Sequence, residues 1–284
     1  MLHLTILGSG SSGNCAVVSS GDTTLLLDAG LSARQTVLRL ESIGLTLDDL
    51  DGILLTHEHQ DHTGGLEVLS RARSLPLFCT ALTQEHLLSN LKFRTPPAWR
   101  IMQTGCVFDY RDLRIESFPV PHDAVDPVGY ILADADARLG VLSDVGYVTN
   151  LARDRLRGSD TLFIEANYDT QLLETDTKRP WSTKQRIASR HGHLSNEQAA
   201  ELVAAIAHPE LSNVVLGHLS DDCNDPAVAI RQIRAALDSA GAAEARVLCA
   251  ERHKPTPAVE VARLRPRARF QIVGLAAHAQ MDLF

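Results

Sequence analysis

The apolar positions of this chain fall in short runs. Three open the sequence, at about residues 2–7, 15–20 and 23–28, with a Gly21-Asp22 turn signal between the last two, and they predict strands. A helix follows: Ser32 is placed to cap it, Val37, Leu38 and Leu40 recur at helical spacing, and Gly44 stops it. The unbroken run Gly52-Ile-Leu-Leu-Thr56 predicts a buried strand, 64–73 and 83–92 predict helices, and strands dominate again over 101–143. Strand-like runs at 161–166, 213–217 and 245–250 then alternate with helices. Ser195-Asn-Glu-Gln198 reads as a capping box opening a helix to about residue 207. Asp225-Pro226 reads as an N-cap and first-turn proline for another helix, ending near Ser239. Strand-rich stretches with helices attached, in two successive parts, predict an α/β protein whose sheets pack together with helices outside. No linker or repeat interrupts residues 1–273, which read as one domain; the pattern fades in the tail, 274–284.

Composition supports that picture. Of 284 residues, 44% are hydrophobic and 22% charged, enough to bury a core and incompatible with a disordered, collagenous or coiled-coil chain. With 27 Lys+Arg against 35 Asp+Glu, the net charge of −8 argues against coating DNA through a general basic surface. No apolar run approaches the roughly 18 residues that would span a bilayer, and the N-terminal residues lack the basic and apolar regions of a secretion signal. Cys15, Cys79, Cys106, Cys223 and Cys249 are scattered and form no C-x-x-C pair. Reduced thiols and a cytoplasmic location are therefore expected; Cys223 is the alternative candidate for a reactive or ligating thiol.

Two motifs invite chemistry. Gly8-Ser-Gly10-Ser-Ser-Gly13 fits a dinucleotide-binding pattern, but the residues after it predict a strand where a nucleotide loop needs a helix. A tight backbone loop is the expectation. Thr56-His57-Glu58-His59-Gln60-Asp61-His62 is different: three imidazoles and a carboxylate lie within six residues, directly after a buried strand. Neutral imidazole and carboxylate suit Zn²⁺, Mn²⁺ or Fe²⁺, and a solvated polar loop explains the pattern poorly.

This H-x-H-x-D-H loop resembles the signature of the metallo-β-lactamase superfamily, and the family's further motifs follow in order. Asp28 ends Thr24-Leu-Leu-Leu-Asp28, His122 lies in Phe118-Pro-Val-Pro-His122, Asp144 ends Gly140-Val-Leu-Ser-Asp144, and His218 ends Val214-Val-Leu-Gly-His218. The resemblance covers nearly the whole chain and implies a four-layer αββα sandwich. It implies two divalent metal ions, one on His57, His59 and His122, the other on Asp61, His62 and His218, with Asp144 bridging. Asp28 would orient a ligand from behind.

Further segments resemble the phosphodiesterase branch of that superfamily. Leu162-Phe-Ile-Glu165 looks like its glutamate motif and Gly192-His193-Leu-Ser195 like its histidine motif. The resemblance implies that His193, oriented by Glu165, protonates the leaving group while Asp61 orients the nucleophile. Ser9-Gly-Ser-Ser-Gly-Asn14, His122-Asp-Ala-Val-Asp-Pro-Val-Gly129 and Gly192-His-Leu-Ser-Asn196 resemble the YycJ/WalJ-like bacterial subgroup, which implies DNA exonuclease activity. The stretch from Asp144 to His218 is too short for the large insertion of the RNA-cleaving β-CASP branch. A ribonuclease or small-substrate phosphodiesterase is the nearest alternative; a glyoxalase-II-like thioesterase and a non-catalytic adaptor are more distant.

Basic residues offer substrate contacts. Lys178, Arg179, Lys184, Arg186 and Arg190 precede His193, and Lys184, Arg186 and Arg190, with Ser195 and Asn196, are the candidates. Arg263, Arg265, Arg267 and Arg269 alternate, so an extended segment would put them on one face, where a solvated edge explains them as well. The chain ends Gln280-Met-Asp-Leu-Phe284, which resembles the bacterial sliding-clamp-binding pentapeptide, with Gln280 setting register and Leu283 and Phe284 as anchors. A clamp tether raises local concentration on DNA without a basic surface, so an acidic chain remains compatible with a nucleic-acid substrate.

Overall fold

The structure, a computed structural model, describes residues 1–264. The first part of the chain forms β1 (Leu2–Gly8), β2 (Cys15–Ser19), β3 (Thr24–Leu27), β4 (Gly52–Leu54), β5 (Pro76–Thr80) and β6 (Ala98–Met102). The second sheet takes β7 (Val107–Tyr110), β8 (Leu113–Pro119), β9 (Val128–Ala133), β10 (Arg138–Leu142), β11 (Thr161–Glu165), β12 (Asn213–Gly217) and β13 (Arg246–Cys249). Strand β14 (Val259–Val261) returns to the first sheet and pairs antiparallel with β1. The sheet orders are β14-β1-β2-β3-β4-β5-β6 and β13-β12-β11-β10-β9-β8-β7.

Alternation along the strands creates the layers. Leu25, Leu27, Val18, Val141, Phe163 and Val215 point into one core between the sheets. Their neighbours Leu26 and Val17 point outward beneath α1 (Ala33–Ser42), α3 (Leu66–Ala72) and α4 (Ala81–Asn90). On the far side Leu162, Ile164, Val214 and Leu216 point outward beneath α5 (Asn150–Leu156), α8 (Asn196–Ile206) and α9 (Pro226–Ser239). Strands buried on both faces become continuous apolar runs, as β11 and β12 are. The result is the four-layer αββα sandwich.

The remaining helices, α2 (Gln60–Thr63), α6 (Thr170–Thr175) and α7 (Trp181–Ile187), are short and sit on the loops between layers. Caps fall where the residue types placed them: Ser32 accepts from Gln35 N–H, Ser195 and Gln198 form the capping box, and Asp225 accepts from Ala227 N–H. The 64–73 expectation is met by α3, the four-residue α2 just before it was not anticipated, and α4 starts earlier than 83 because Thr80 caps it. Strands β5 and β14 and helices α5, α6 and α7 were not separately anticipated; at three to seven residues each, they carry too little periodicity to stand out. All five cysteines are free thiols, and Cys223 lies buried against Tyr168 and Leu173. Gln280, Leu283 and Phe284, Arg265, Arg267 and Arg269, and the boundary at residue 274 lie outside the described residues. Arg263 ion-pairs with Asp160 and Glu210.

Candidate metal centre

Three strands deliver their last residues in a conformation that L-amino acids seldom adopt. Asp28 after β3, Asp144 after β10 and His218 after β12 have φ of 59°, 51° and 53°. Left-handed backbone at a non-glycine residue is strained, and it clusters where the fold must aim a side chain. Here it turns all three toward the same end of the sandwich, where the loop after β4 carries His57, His59, Asp61 and His62. That loop is seated on backbone. Asn14 N–H donates to the Asp61 carbonyl (2.7 Å) and Ala29 N–H to the His62 carbonyl (2.8 Å). Gly30 lies against the Asp61 carbonyl so closely that a Cβ there would overlap it.

The polar side chains then assemble into two adjoining groups. His57, His59 and His122 bring ring nitrogens together, with His122 Nε2 3.3 Å from His59 Nδ1. Beside them Asp61 Oδ2 lies 3.5 Å from His218 Nε2 and 3.6 Å from His62 Nε2. Asp144 stands between, its Oδ2 2.9 Å from His62 Nε2 and its Oδ1 2.7 Å from His218 Nδ1. Donors about 2.0–2.2 Å from a tetrahedral cation are spaced about 3.3–3.6 Å from one another, so the separations of 3.3, 3.5 and 3.6 Å fit metal ions, while the two Asp144 contacts are at hydrogen-bond distance. The unpaired group agrees. His57 is 1% exposed, yet its Nε2 has no hydrogen-bond partner. Buried polar atoms left unsatisfied are costly, and a cation among them satisfies the lone pairs. The cluster can hold metal ions.

The far sides of the rings are held as metal-ligating histidines require. His62 Nδ1 meets Asp28 Oδ2 at 2.7 Å, His122 Nδ1 the Gly192 carbonyl at 3.0 Å, His59 Nε2 the Asp123 carbonyl at 3.2 Å, and His57 Nδ1 the Thr56 hydroxyl at 3.0 Å. Asp28 also accepts from Thr56 N–H (2.8 Å), so one carboxylate aligns both the start and the end of the loop.

Charge follows geometry. Burial opposes a proton on His62 and His218, but Asp144, with Asp28 and Glu165 respectively, outweighs it: His62 is held well above its ordinary value and His218 is pushed up to about 10. Asp144 is correspondingly held well below the carboxylate range by His218 and His62, against its burial. His57, where burial is reinforced by His62, is driven well below the imidazole range.

At the edge of the cluster, His193 Nδ1 contacts Glu165 Oε1 at 2.6 Å and lies 3.5 Å from Asp144 Oδ1. Burial opposes charge on His193, but Glu165 raises it, and Glu165 in turn is held low by His193 against its own burial. The second Glu165 oxygen accepts from Val145 N–H (3.0 Å) and Leu194 N–H (3.3 Å), so this carboxylate spans the loops that carry Asp144 and His193.

Three of the anticipated substrate contacts are engaged within the fold. Asn196 is fully buried and bonded to Asn224, Ser195 is consumed by its helix cap, and Lys184 is buried with Nζ donating to the Glu174 carbonyl. Helix formation turned these side chains inward. Arg186 is exposed and pairs with Asp123, next to His122; Arg190 lies 4.3 Å over the Tyr147 ring. Two participants were missed. Asn14 Nδ2 approaches Asp61 Oδ2 (3.3 Å) and His62 Nε2 (3.1 Å), and the Ser9 hydroxyl accepts from His218 N–H (2.7 Å). Their signal was the glycine-rich loop itself, which serves the metal centre instead of a nucleotide.

A family model, the β-lactamase superfamily domain, matches residues 23–218. The chain is 36% identical over 247 residues to exodeoxyribonuclease YycJ of Bacillus anthracis, spanning 84% of this chain and 90% of that one. It is 37% identical over 223 residues to exodeoxyribonuclease WalJ of Streptococcus pneumoniae, spanning 78% and 82%. Among solved structures, the metallo-β-lactamase fold protein YhfI of Bacillus subtilis shares the fold, with a TM-score of 0.67 and 16% identity over 90% of this chain and 100% of that one. The chain belongs to the β-lactamase superfamily and is a metal-dependent hydrolase.

Proposed function

We propose that this hydrolase is a dinuclear phosphodiesterase acting as a DNA exonuclease. The observation that carries the reading is the Glu165–His193 pair set against Asp144, because a thioesterase with the same metal donors has no need of it. In this reading His57, His59 and His122 hold one divalent ion, Asp61, His62 and His218 a second, and Asp144 both; Zn²⁺ and Mn²⁺ suit the donors, with Fe²⁺ a third choice. Such ions supply Lewis acidity toward water and phosphate oxygens. Asp61, the most exposed of the proposed carboxylate ligands, orients the attacking water. His193 holds its Nδ1 on Glu165, which leaves Nε2 to deliver a proton to the leaving oxygen. The substrate assignment draws on the similarity to YycJ and WalJ across most of the chain.

End-labelled duplex DNA incubated with the protein and Mn²⁺ or Zn²⁺ should shorten from its ends. Intact DNA under every metal, with RNA or a small diester cleaved instead, would remove the exonuclease assignment. Recruitment by the sliding clamp, through Gln280, Leu283 and Phe284, completes the proposal for an acidic chain in replication and repair. Deleting residues 280–284 should abolish clamp pull-down while cleavage of free DNA continues.

A further inference from the structure

The chain has two tryptophans, and they are used differently. Trp99 is packed edge-on against Phe93, with ring centroids 5.7 Å apart. Trp181 is 67% exposed, more than any other large apolar side chain among the described residues except Met1. Single exposed apolar residues are ordinary on protein surfaces, so exposure alone carries nothing. Position carries more. Trp181 opens α7, and the other end of α7 is fastened to the metal centre: the Ile187 carbonyl accepts from His193 N–H at 2.8 Å. Arg186 Nε donates to Asp123 Oδ2 at 2.6 Å, and Asp123 N–H donates to the His191 carbonyl at 3.0 Å. Lys184 Nζ pins the middle of the helix to the Glu174 carbonyl. The indole is thus displayed at the start of a helix braced at its middle and its far end, six residues or about 9 Å of helix rise before the Ile187 carbonyl that holds His193 N–H.

Charge identifies what would use such a ring. Between Lys178 and Arg190 the sequence has five Lys or Arg and no Asp or Glu, in a chain of net charge −8. Lys178 and Arg179 are engaged by Asp222 and Lys184 is internal, whereas Arg186 keeps 69% of its side chain exposed and Arg190 is held only over Tyr147. An exposed indole in a segment rich in Lys and Arg, on a helix whose far end is tied to the backbone of the proposed general acid His193, matches the stacking platforms of single-stranded nucleic-acid sites.

We infer that Trp181 stacks an unpaired base of the substrate strand, with Arg186 and Arg190 on the adjoining phosphates, and so makes a strand end the preferred substrate. The inference rests on the nuclease reading above. It is tested by comparing kcat/KM for a labelled single-stranded oligonucleotide with kcat/KM for bis(p-nitrophenyl) phosphate, which carries no base, using the metal-loaded protein. In Trp181→Ala the ratio of the two should fall roughly five- to hundredfold, through KM rather than kcat, and Trp181→Phe should recover most of it. An unchanged ratio in Trp181→Ala, including the case where both substrates decline together, overturns the platform. Loss of binding to anionic phospholipid vesicles with an unchanged ratio also overturns it and reassigns the ring to a membrane surface. Wild-type protein that hydrolyses the diester but no oligonucleotide overturns the nuclease reading instead.

Discussion

The two sheets furnish the metal centre in opposite ways. The first sheet supplies a contiguous loop, in which His57, His59, Asp61 and His62 follow one strand and are seated on backbone contacts from Asn14, Ala29 and Gly30. The second supplies one residue at a time, with His122, Asp144 and His218 each following a different strand, and the last two in strained left-handed backbone. The difference teaches where rigidity resides. A contiguous loop must be clamped from outside, by Asp28 at both its ends; single residues at strand ends inherit their positions from the sheet.

Asp144 is where the two halves meet, so its loss should have the largest effect. Asp144→Ala should reduce turnover to background and lower metal content, read by elemental analysis of the purified protein. His193→Ala should be milder and of a different kind: turnover roughly 10²- to 10⁴-fold lower with metal content retained. Loss of metal in that variant would show that His193 serves the fold of the site and not proton transfer.

The clamp on the contiguous half is tested by Asp28→Asn, which keeps the shape but weakens the hold on His62 Nδ1. Metal affinity measured by equilibrium dialysis should fall about 10- to 100-fold. Asn14→Ala, which removes the contacts to Asp61 and His62 together with the acceptor for the Ser9 hydroxyl and Gly10 N–H, should lie at about the lower end of that range. An effect larger than that of Asp28→Asn would invert the ranking and make the glycine-rich loop the principal support.

Protons sharpen the comparison further. In the metal-free protein His218 is raised to about 10. Its pairing with Asp144 therefore contributes stability that is fully present below the ordinary imidazole value and is lost as pH rises through about 10. Metal uptake must expel that proton and the one on His62, so apparent affinity should rise with pH. Calorimetric titration in buffers of different ionisation enthalpy should register proton release on binding; none would mean that the two histidines are neutral in the metal-free state.

Much of this was legible in the residues. Strands three to seven residues long and helices marked by Ser32, Ser195 and Asp225 are encoded locally, since capping and alternation act over a few positions. The H-x-H-x-D-H loop was legible because its donors are contiguous. Asp28, His122, Asp144 and His218 were reached through family resemblance, each at the end of an apolar run. The burial of Lys184 and Asn196 was not legible because composition does not reveal which face of a helix is turned inward. Asn14 was missed because its partners are 47 and 48 residues away.

By itself, then, the sequence determined the layer pattern, the contiguous donor loop and the excess of acidic residues. Tertiary structure decided the sign of φ at Asp28, Asp144 and His218, the meeting of Glu165 with His193, and which cations remain exposed at the surface. The physical reason is range: propensity and ligand spacing act between neighbours, whereas these contacts exist only once two sheets have paired in register and closed on a shared core.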